Sequence, residues 1–362
     1  MMNRKSFLKK SLAIGAGVSV AGDLLSNIIL PQKKQKLGVA LVGLGYYSTD
    51  LLAPALRLTQ HCELKGVVSG TPSKIELWKK EHNLRDNNIY NYQSFDRMAN
   101  NPEIDVVYVV LPPSMHAEYS IRAANAGKHV WCEKPMAVTA KECQDMIDAC
   151  NKNKVKLSIG YRMHHEANTQ RVIQFRKELK YGKILNVNAA AGYYDGRTNH
   201  WKQIKKLGGG SMYDMGVYPL NAIRYSTGLE PIAVAAKQST TRPEIYKEVD
   251  ETMEFDLEFA SGATAHGKTS FGMGMNDLAV KCENGGWTLS PFQAYSGVQG
   301  KTSDGFVLGA SPFNQQAKQM DDDALSIKNN TNVLVPGEEG LKDIRVVEAI
   351  YRSVKSNSRV TI

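Results

Sequence analysis

A lysine, an aspartate and a tyrosine brought together can pass a proton to or from an alcohol, and Lys134, Asp214 and Tyr218 of this 362-residue chain offer that set. Asp214 and Tyr218 stand at i and i+4, so a helix would project both from one face. A free phenol titrates at about 10, and a nearby ammonium favours its anion, which suits proton exchange with a hydroxyl or carbonyl. Lys134 lies in Glu133-Lys134-Pro135, directly after a short apolar run that reads as a strand. There a lysine can hydrogen-bond a substrate hydroxyl while the proline fixes the local backbone. Spacing alone is equally compatible with an acid at a helix start and a core tyrosine.

A second constellation is built for phosphate. Gly43-Leu44-Gly45-Tyr46-Tyr47-Ser48 follows an apolar run at 37–42 and precedes a helical pattern. Gly43 permits the tight turn, Gly45 lets a pyrophosphate approach the backbone, and small Ser48 replaces a third glycine. Amides at the helix start then face the phosphates. At the end of the next strand an Asp or Glu would bind a ribose 2′-hydroxyl. The chain instead has Ser69-Gly70-Thr71-Pro72-Ser73-Lys74, with no acid, so its hydroxyls and Lys74 match a 2′-phosphate. The cofactor expected is NADP; the alternative for Lys74 is an ordinary exposed lysine.

These residues need elements to hold them. The continuous apolar run at 37–42 reads as a strand buried on both faces, and 63–68, 105–111, 129–132 and 155–159 read as further strands. Helices are expected at 51–58, at 117–126 closed by Gly127, and after Thr139, where Glu142 completes a capping box. This alternation predicts an α/β domain, a doubly wound parallel sheet. Longer strands at 184–191, 232–238, 251–259 and 263–269 follow, and a closing amphipathic helix spans 340–353. They predict a C-terminal α+β domain with a large, mostly antiparallel sheet, one face of which is solvated or covered by another subunit. Residues 32–36 read as a linker, residues 36–159 as the NADP-binding Rossmann domain, and residues 160–362 as the substrate and oligomerisation domain.

Charged residues at 22% and hydrophobic residues at 42% are an ordinary globular mix, so neither a disordered nor a fibrous chain is expected. The net charge of +9 comes without a long basic block interleaved with aromatics, which argues against nucleic acid. Cys62, Cys132, Cys143, Cys150 and Cys282 have no metal-ligand spacing, and Cys143 and Cys150 fit the buried face of one helix. His164 and His165 are adjacent and would point apart on a helix, a poor metal pair, so no metal is expected. His116 opens a helix, where it either touches the cofactor or caps the helix. Tyr193, Tyr194 and Asp195 either line the substrate pocket or belong to a strand and its turn. At the N-terminus a basic segment (1–10) precedes a short apolar one (11–25), too short to span a bilayer stably. Asn3-Arg4-Lys5-Ser6-Phe7-Leu8-Lys9 resembles a twin-arginine export signal with Lys second, and Ser19-Val20-Ala21 suits cleavage. Residues 1–30 are therefore expected to be an export signal and short arm of a periplasmic protein; the alternative is an amphipathic extension on a cytoplasmic enzyme.

At these residues the chain resembles the Gfo/Idh/MocA oxidoreductases, and within them the glucose–fructose oxidoreductases. The likeness rests on Gly43–Gly45, Ser69-Gly70 with Lys74, Ile89-Tyr90-Asn91-Tyr92, His116-Ala117-Glu118, Ala126-Gly127-Lys128-His129-Val130, Glu133-Lys134-Pro135-Met136, Gly160-Tyr161-Arg162, Gly208–Ser211, the stretch 214–225 and Pro336-Gly337-Glu338-Glu339-Gly340. It implies that Tyr46, Tyr47, Leu111, Pro112, His116, Glu133 and Lys134 border the cofactor, with Arg162 at its nicotinamide end. It also implies that Lys134, Asp214 and Tyr218 are catalytic, and that Trp201, Lys202 and Tyr218 border a sugar. The implied reaction oxidises an aldose at C1 to its lactone, then reduces a second sugar such as fructose. A dehydrogenase that releases its cofactor, a nicotinamide-dependent glycosidase and a non-catalytic sugar binder are the alternatives. The long Pro-rich arm of the glucose–fructose enzymes has no match in the short stretch from Gly22 to Lys36. A homo-oligomer, dimer or tetramer, through the C-terminal sheet is implied as well.

Overall fold

The computed structural model describes residues 34–362. The expected export signal and the first two residues of the linker lie outside them. Residues 36–362 form one compact unit. Its first sheet comprises β1 (Leu37–Val42), β2 (Cys62–Val68), β3 (Ile89–Tyr90), β4 (Val106–Val109), β5 (His129–Cys132) and β6 (Leu157–Ile159). All pairings are parallel, in the order β3-β2-β1-β4-β5-β6. The order reverses between β1 and β4, and ligands of doubly wound sheets bind in the crevice at such a switch point. Gly43 leaves β1, and Leu111 follows β4, on the two sides of that crevice.

The helices of this half are α1 (Ala53–Leu56), α2 (Pro72–Glu81), α3 (His116–Asn125) and α4 (Ala140–Lys152). A π-helical turn, Tyr47–Leu52, leads into α1, so the helix after the glycine turn begins four residues earlier than the sequence pattern suggested. The capping box on α4 forms: Thr139 accepts from the Glu142 amide while Glu142 accepts from the Thr139 amide. Cys143, Met146, Ile147 and Cys150 are its buried face. All five cysteines are buried and unpaired.

The second half adds α5 (Ala167–Lys177), α6 (Val217–Thr227), α7 (Gln315–Lys328) and α8 (Gly337–Ser356). Its sheet comprises β7 (Ile184–Gly192), β8 (Ala233–Ser239), β9 (Thr252–Glu258), β10 (Thr264–Ser270), β11 (Met275–Cys282), β12 (Gly285–Leu289), β13 (Gly300–Thr302), β14 (Val307–Leu308) and β15 (Val360–Thr361). These nine strands lie in the order β14-β13-β12-β11-β7-β10-β9-β8-β15. All neighbours are antiparallel except β7 and β10, which run parallel with Asn186 opposite Thr264. Residues along β9 and β10 alternate between buried and at least partly exposed positions, as a sheet with one open face requires. α6 is buried on every side, so its register is fixed by packing and not by an amphipathic stripe.

The chain then returns to the first sheet. Ala317, Met320 and Ala324 of α7 join the cluster formed by Leu37, Val39 and Leu41 of β1. The same helix buries one carboxyl at a cost. Asp323 is 0% exposed, and burial pushes its carboxyl up to about 6, against the opposing pull of His165 and Ser158. A carboxyl whose folded value is raised contributes stability that is complete below about pH 4 and lost as pH rises through about 6. Asp323→Asn is therefore expected to stabilise the fold by roughly 1–3 kcal/mol at pH 8, with the gain vanishing below about pH 4. Urea unfolding at both pH values checks it; equal effects at both would refute it.

Candidate active site

Two glycines at the end of β1 do different work. Gly43 has φ +93°, and a Cβ there would lie 2.3 Å from the Val110 carbonyl, so only glycine fits. At Gly45 no atom lies within 4 Å of where a Cβ would stand, which leaves its backbone open to a ligand. Ser48 donates its hydroxyl to the Gly43 carbonyl at 2.6 Å, holding the turn against the helix that follows. This open cradle at the switch point fits a dinucleotide pyrophosphate.

At the end of β2, Lys74 reaches back to donate to the Leu44 carbonyl at 3.0 Å, so its ammonium sits at the same cradle. Ser69 is buried and accepts from the Thr71 amide at 3.1 Å. A Cβ on Gly70 would touch the Tyr92 ring at 3.0 Å, which makes that residue a packing glycine. After β4, Leu111 and Pro112 form the opposite lip. His116 is the first residue of α3 but makes no capping bond. Its ring nitrogens lie 2.7 Å from the Leu111 carbonyl and 2.8 Å from the Pro135 carbonyl, tying that lip to the Lys134 loop.

Lys134 and Pro135 are joined by a cis peptide. Glu133, just before them, accepts from the Tyr108 hydroxyl at 2.6 Å, and burial raises its carboxyl above the usual range. The Lys134 ammonium donates to the backbone carbonyl of Asp214 at 2.7 Å and lies 3.9 Å from its carboxylate. It also stands 4.5 Å from the centre of the Tyr218 ring. Burial works against its charge, but Tyr218, Asp214 and Glu133 outweigh it and raise its pKa, so it is an ammonium at any physiological pH.

Asp214 and Tyr218 converge on Lys134 as their spacing suggested, though by a less regular route. Asp214 lies in a π-helical turn, Met212–Gly216, and Tyr218 in the first turn of α6. Asp250 anchors that turn: its carboxylate accepts from the Ser211 hydroxyl at 2.6 Å and the Met212 amide at 2.7 Å. Gly210, at φ +111°, lets the chain pass it, since a Cβ there would lie 2.4 Å from the Asp250 oxygen. Nothing in the string around Asp250 marks it as a partner of the glycine run.

The pocket wall beyond Asp214 is cationic and phenolic. Lys202 donates to the Asp214 carboxylate at 2.6 Å and to the Tyr193 hydroxyl at 2.9 Å. Burial would raise the Asp214 carboxyl, but Lys202 and Lys134 together hold it below the usual range. Burial, with Asp214 and Asp195, pushes the Tyr193 phenol up, so it remains a donor. Asp195 is buried and held by Arg197 at 2.7 and 2.8 Å. Tyr194, in contrast, is exposed and stacks under Arg242. Trp201 lies beside Lys202, its ring centre 5.7 Å from the ammonium. Arg162 is buried between the Tyr218 and Tyr295 rings, at 5.6 and 4.6 Å. Tyr295 carries no sequence signal. His164 and His165 serve separate partners, Asn221 and Asp322, each at 2.8 Å.

Lys134, Asp214, Tyr218 and Lys202 thus form one largely buried cluster beside an open pyrophosphate cradle. Such a cluster can accept an alcohol proton at a phenol oxygen and hold neighbouring hydroxyls by a carboxylate.

Residues 37–161 match the model described as the oxidoreductase family with NAD-binding Rossmann fold, of the Gfo/Idh/MocA group. Residues 169–288 match the Gfo/Idh/MocA C-terminal domain. The chain is 38% identical to an aldose-aldose oxidoreductase from Caulobacter crescentus, solved with glycerol, with a TM-score of 0.87 over 90% of this chain and 100% of that one. It is 25% identical to a D-xylose 1-dehydrogenase [NADP(+)] from Haloarcula marismortui over 89% of this chain and 92% of the relative. It is 27% identical to D-xylose 1-dehydrogenase (NADP(+)) 2 from Haloferax volcanii over 75% and 84%.

Proposed function

The chain belongs to the Gfo/Idh/MocA family of oxidoreductases, and on that premise we propose that it uses NADP to oxidise an aldose at C1 to its lactone. The observation that carries this reading is the Lys134–Asp214–Tyr218–Lys202 cluster beside the glycine cradle. Bound at the cradle, oxidised NADP would supply the acceptor for the hydride of the sugar's C1. Tyr218, entering as its phenolate, takes the C1 hydroxyl proton, so hydride and proton leave the same carbon–oxygen unit and the lactone remains. Lys134, over the Tyr218 ring, stabilises the phenolate that receives the proton. Asp214, fixed by Lys202, accepts from a neighbouring sugar hydroxyl, and Trp201 offers the sugar an apolar face. In the reverse direction a second carbonyl sugar would receive the hydride from the retained reduced cofactor and the proton from Tyr218. The aldose-aldose relative supports that two-sugar cycle, while the two xylose dehydrogenase relatives support release of the reduced cofactor.

NADP over NAD rests on the missing acid after β2 and on Lys74 at the cradle. Lys74→Ala is expected to weaken NADP binding about tenfold and leave NAD unchanged, because only the former carries the phosphate that the ammonium would meet. Calorimetric titration with both nucleotides decides this; equal losses would remove Lys74 from the assignment. The whole reading is tested by recording reduced-nicotinamide absorbance of the purified protein as glucose and then fructose are added. A signal that rises and then falls without added cofactor supports the two-sugar cycle. Turnover only with free NADP supports the dissociating dehydrogenase, and silence in both cases refutes the oxidation of glucose.

Residues 160–362 are assigned to substrate binding and oligomerisation, the open face of the nine-stranded sheet covering a second copy of the chain. The string Asn3–Lys9 supports export to the periplasm of the folded, cofactor-loaded protein. Among the described residues no helix is long and apolar enough to cross a membrane.

A further inference from the structure

The loop between β12 and β13 belongs to the second sheet but ends at the glycine turn of the first. Asn276 accepts, through its amide oxygen, from the backbone N–H of both Phe292 and Gln293 at 3.0 Å. Arg162 donates to the Ala294 carbonyl at 2.9 Å, to the Gln293 carbonyl and to the amide oxygen of Gln315. Gln315 donates to the same Ala294 carbonyl at 3.1 Å. The backbone of 292–294 is therefore fastened from β11, from the loop after β6 and from α7. Tyr295, next in the chain, is presented by that fastening and is 42% exposed.

Its ring lies 4.6 Å from the Arg162 guanidinium and 6.1 Å from the ring of Tyr47, tilted by 41°. Tyr47 is the second residue after Gly45, and the same guanidinium lies 5.6 Å from the Tyr218 ring. Tyr295 thus spans the interval between the pyrophosphate cradle and the catalytic phenol. A dinucleotide reaching from Gly45 to Tyr218 has to pass beneath or beside this ring. A tyrosine seated on a guanidinium is held with little further loss of side-chain freedom, which is what a retaining contact needs.

We propose that Tyr295, closing against Tyr47 and seated on Arg162, is a clasp that retains the nicotinamide half of the cofactor between turnovers. This rests on the nicotinamide-dependent reading of the site. It supplies, from within one chain, the retention on which the two-sugar cycle depends.

The test measures NADPH dissociation by stopped-flow fluorescence on the purified full-length protein, wild type against Tyr295→Ala and Tyr295→Phe. Tyr295→Ala should release NADPH about tenfold faster or more, since losing one aromatic contact acts mainly on the off-rate. Tyr295→Phe should keep the slow rate, because neither the Arg162 nor the Tyr47 contact uses the hydroxyl. Adenosine 2′,5′-bisphosphate, which ends at the adenine ribose, should bind wild type and Tyr295→Ala alike. Wild-type release from Tyr295→Ala would overturn the clasp and leave the proposed function standing. Equal loss of NADPH and of the adenosine bisphosphate would also overturn it, as general damage to the site. A wild-type protein that binds neither ligand would instead refute the nicotinamide-dependent reading.

Discussion

Tyr218→Phe is expected to lower kcat by about 10²–10⁴-fold, the usual worth of a positioned general acid–base group, while NADPH affinity stays within about twofold. The phenylalanine keeps the ring that Lys134 and Arg162 face at 4.5 and 5.6 Å, so packing and the two cation–ring contacts survive. Only the phenol oxygen, the proposed proton acceptor, is gone. Steady-state kinetics with an aldose, together with a melting curve, check the prediction. A variant that keeps wild-type kcat would remove Tyr218 from the chemistry and return it to the core residues.

Lys134→Met carries the second large effect. The methionine fills the space of the lysine stem but loses the ammonium that donates to the Asp214 carbonyl and faces the Tyr218 ring. A loss of about 10²–10³-fold in kcat follows if that charge stabilises the proton transfer, by analogy with removal of one preorganised donor. Lys134→Arg should not restore it, because a planar guanidinium cannot reproduce a point charge in a buried slot. The same change has a pH signature. Asp214 is held below the usual carboxylate range, so its contribution to stability is present above about pH 4 and lost as pH falls through its depressed value. With one of its two cations gone that depression shrinks, and acid unfolding should begin at higher pH in the variant. Lys202 still pairs with Asp214 at 2.6 Å, so the fold at neutral pH should persist. Unfolding already at neutral pH would mean that Lys134 is chiefly structural.

The cradle and the parallel sheet were legible because their signals are local. A buried strand, two glycines and a helix start lie within a few residues of one another, and the capping box at Thr139 and Glu142 is read the same way. The convergence of Asp214 and Tyr218 was legible as an i, i+4 spacing, but its route was not. A π-helical turn shifts the helical period, and the same shift moved the helix after Gly45 from the expected 51–58 to a start at Tyr47. Asp250 and Tyr295 were not legible at all. Each reaches the site across the fold, Asp250 from 40 to 42 residues beyond the glycine run it anchors, and no composition or periodicity marks such partners. The parallel pairing of β7 with β10 inside an otherwise antiparallel sheet depends on chain crossing and escapes strand-by-strand reading for the same reason. His116 shows the intermediate case. Its position near the crevice was readable, but its work, bridging the Leu111 and Pro135 carbonyls, needs both loops in place.

One isotope experiment bears most directly on the chemistry. An aldose carrying deuterium at C1 is incubated with the protein and oxidised NADP, and the nucleotide is analysed by mass spectrometry and proton NMR. Deuterium on C4 of the nicotinamide ring, with the lactone as the sugar product, is the result expected of a C1 oxidation served by Lys134, Asp214 and Tyr218. Reduced nucleotide without deuterium, or a sugar product oxidised at another carbon, would contradict it.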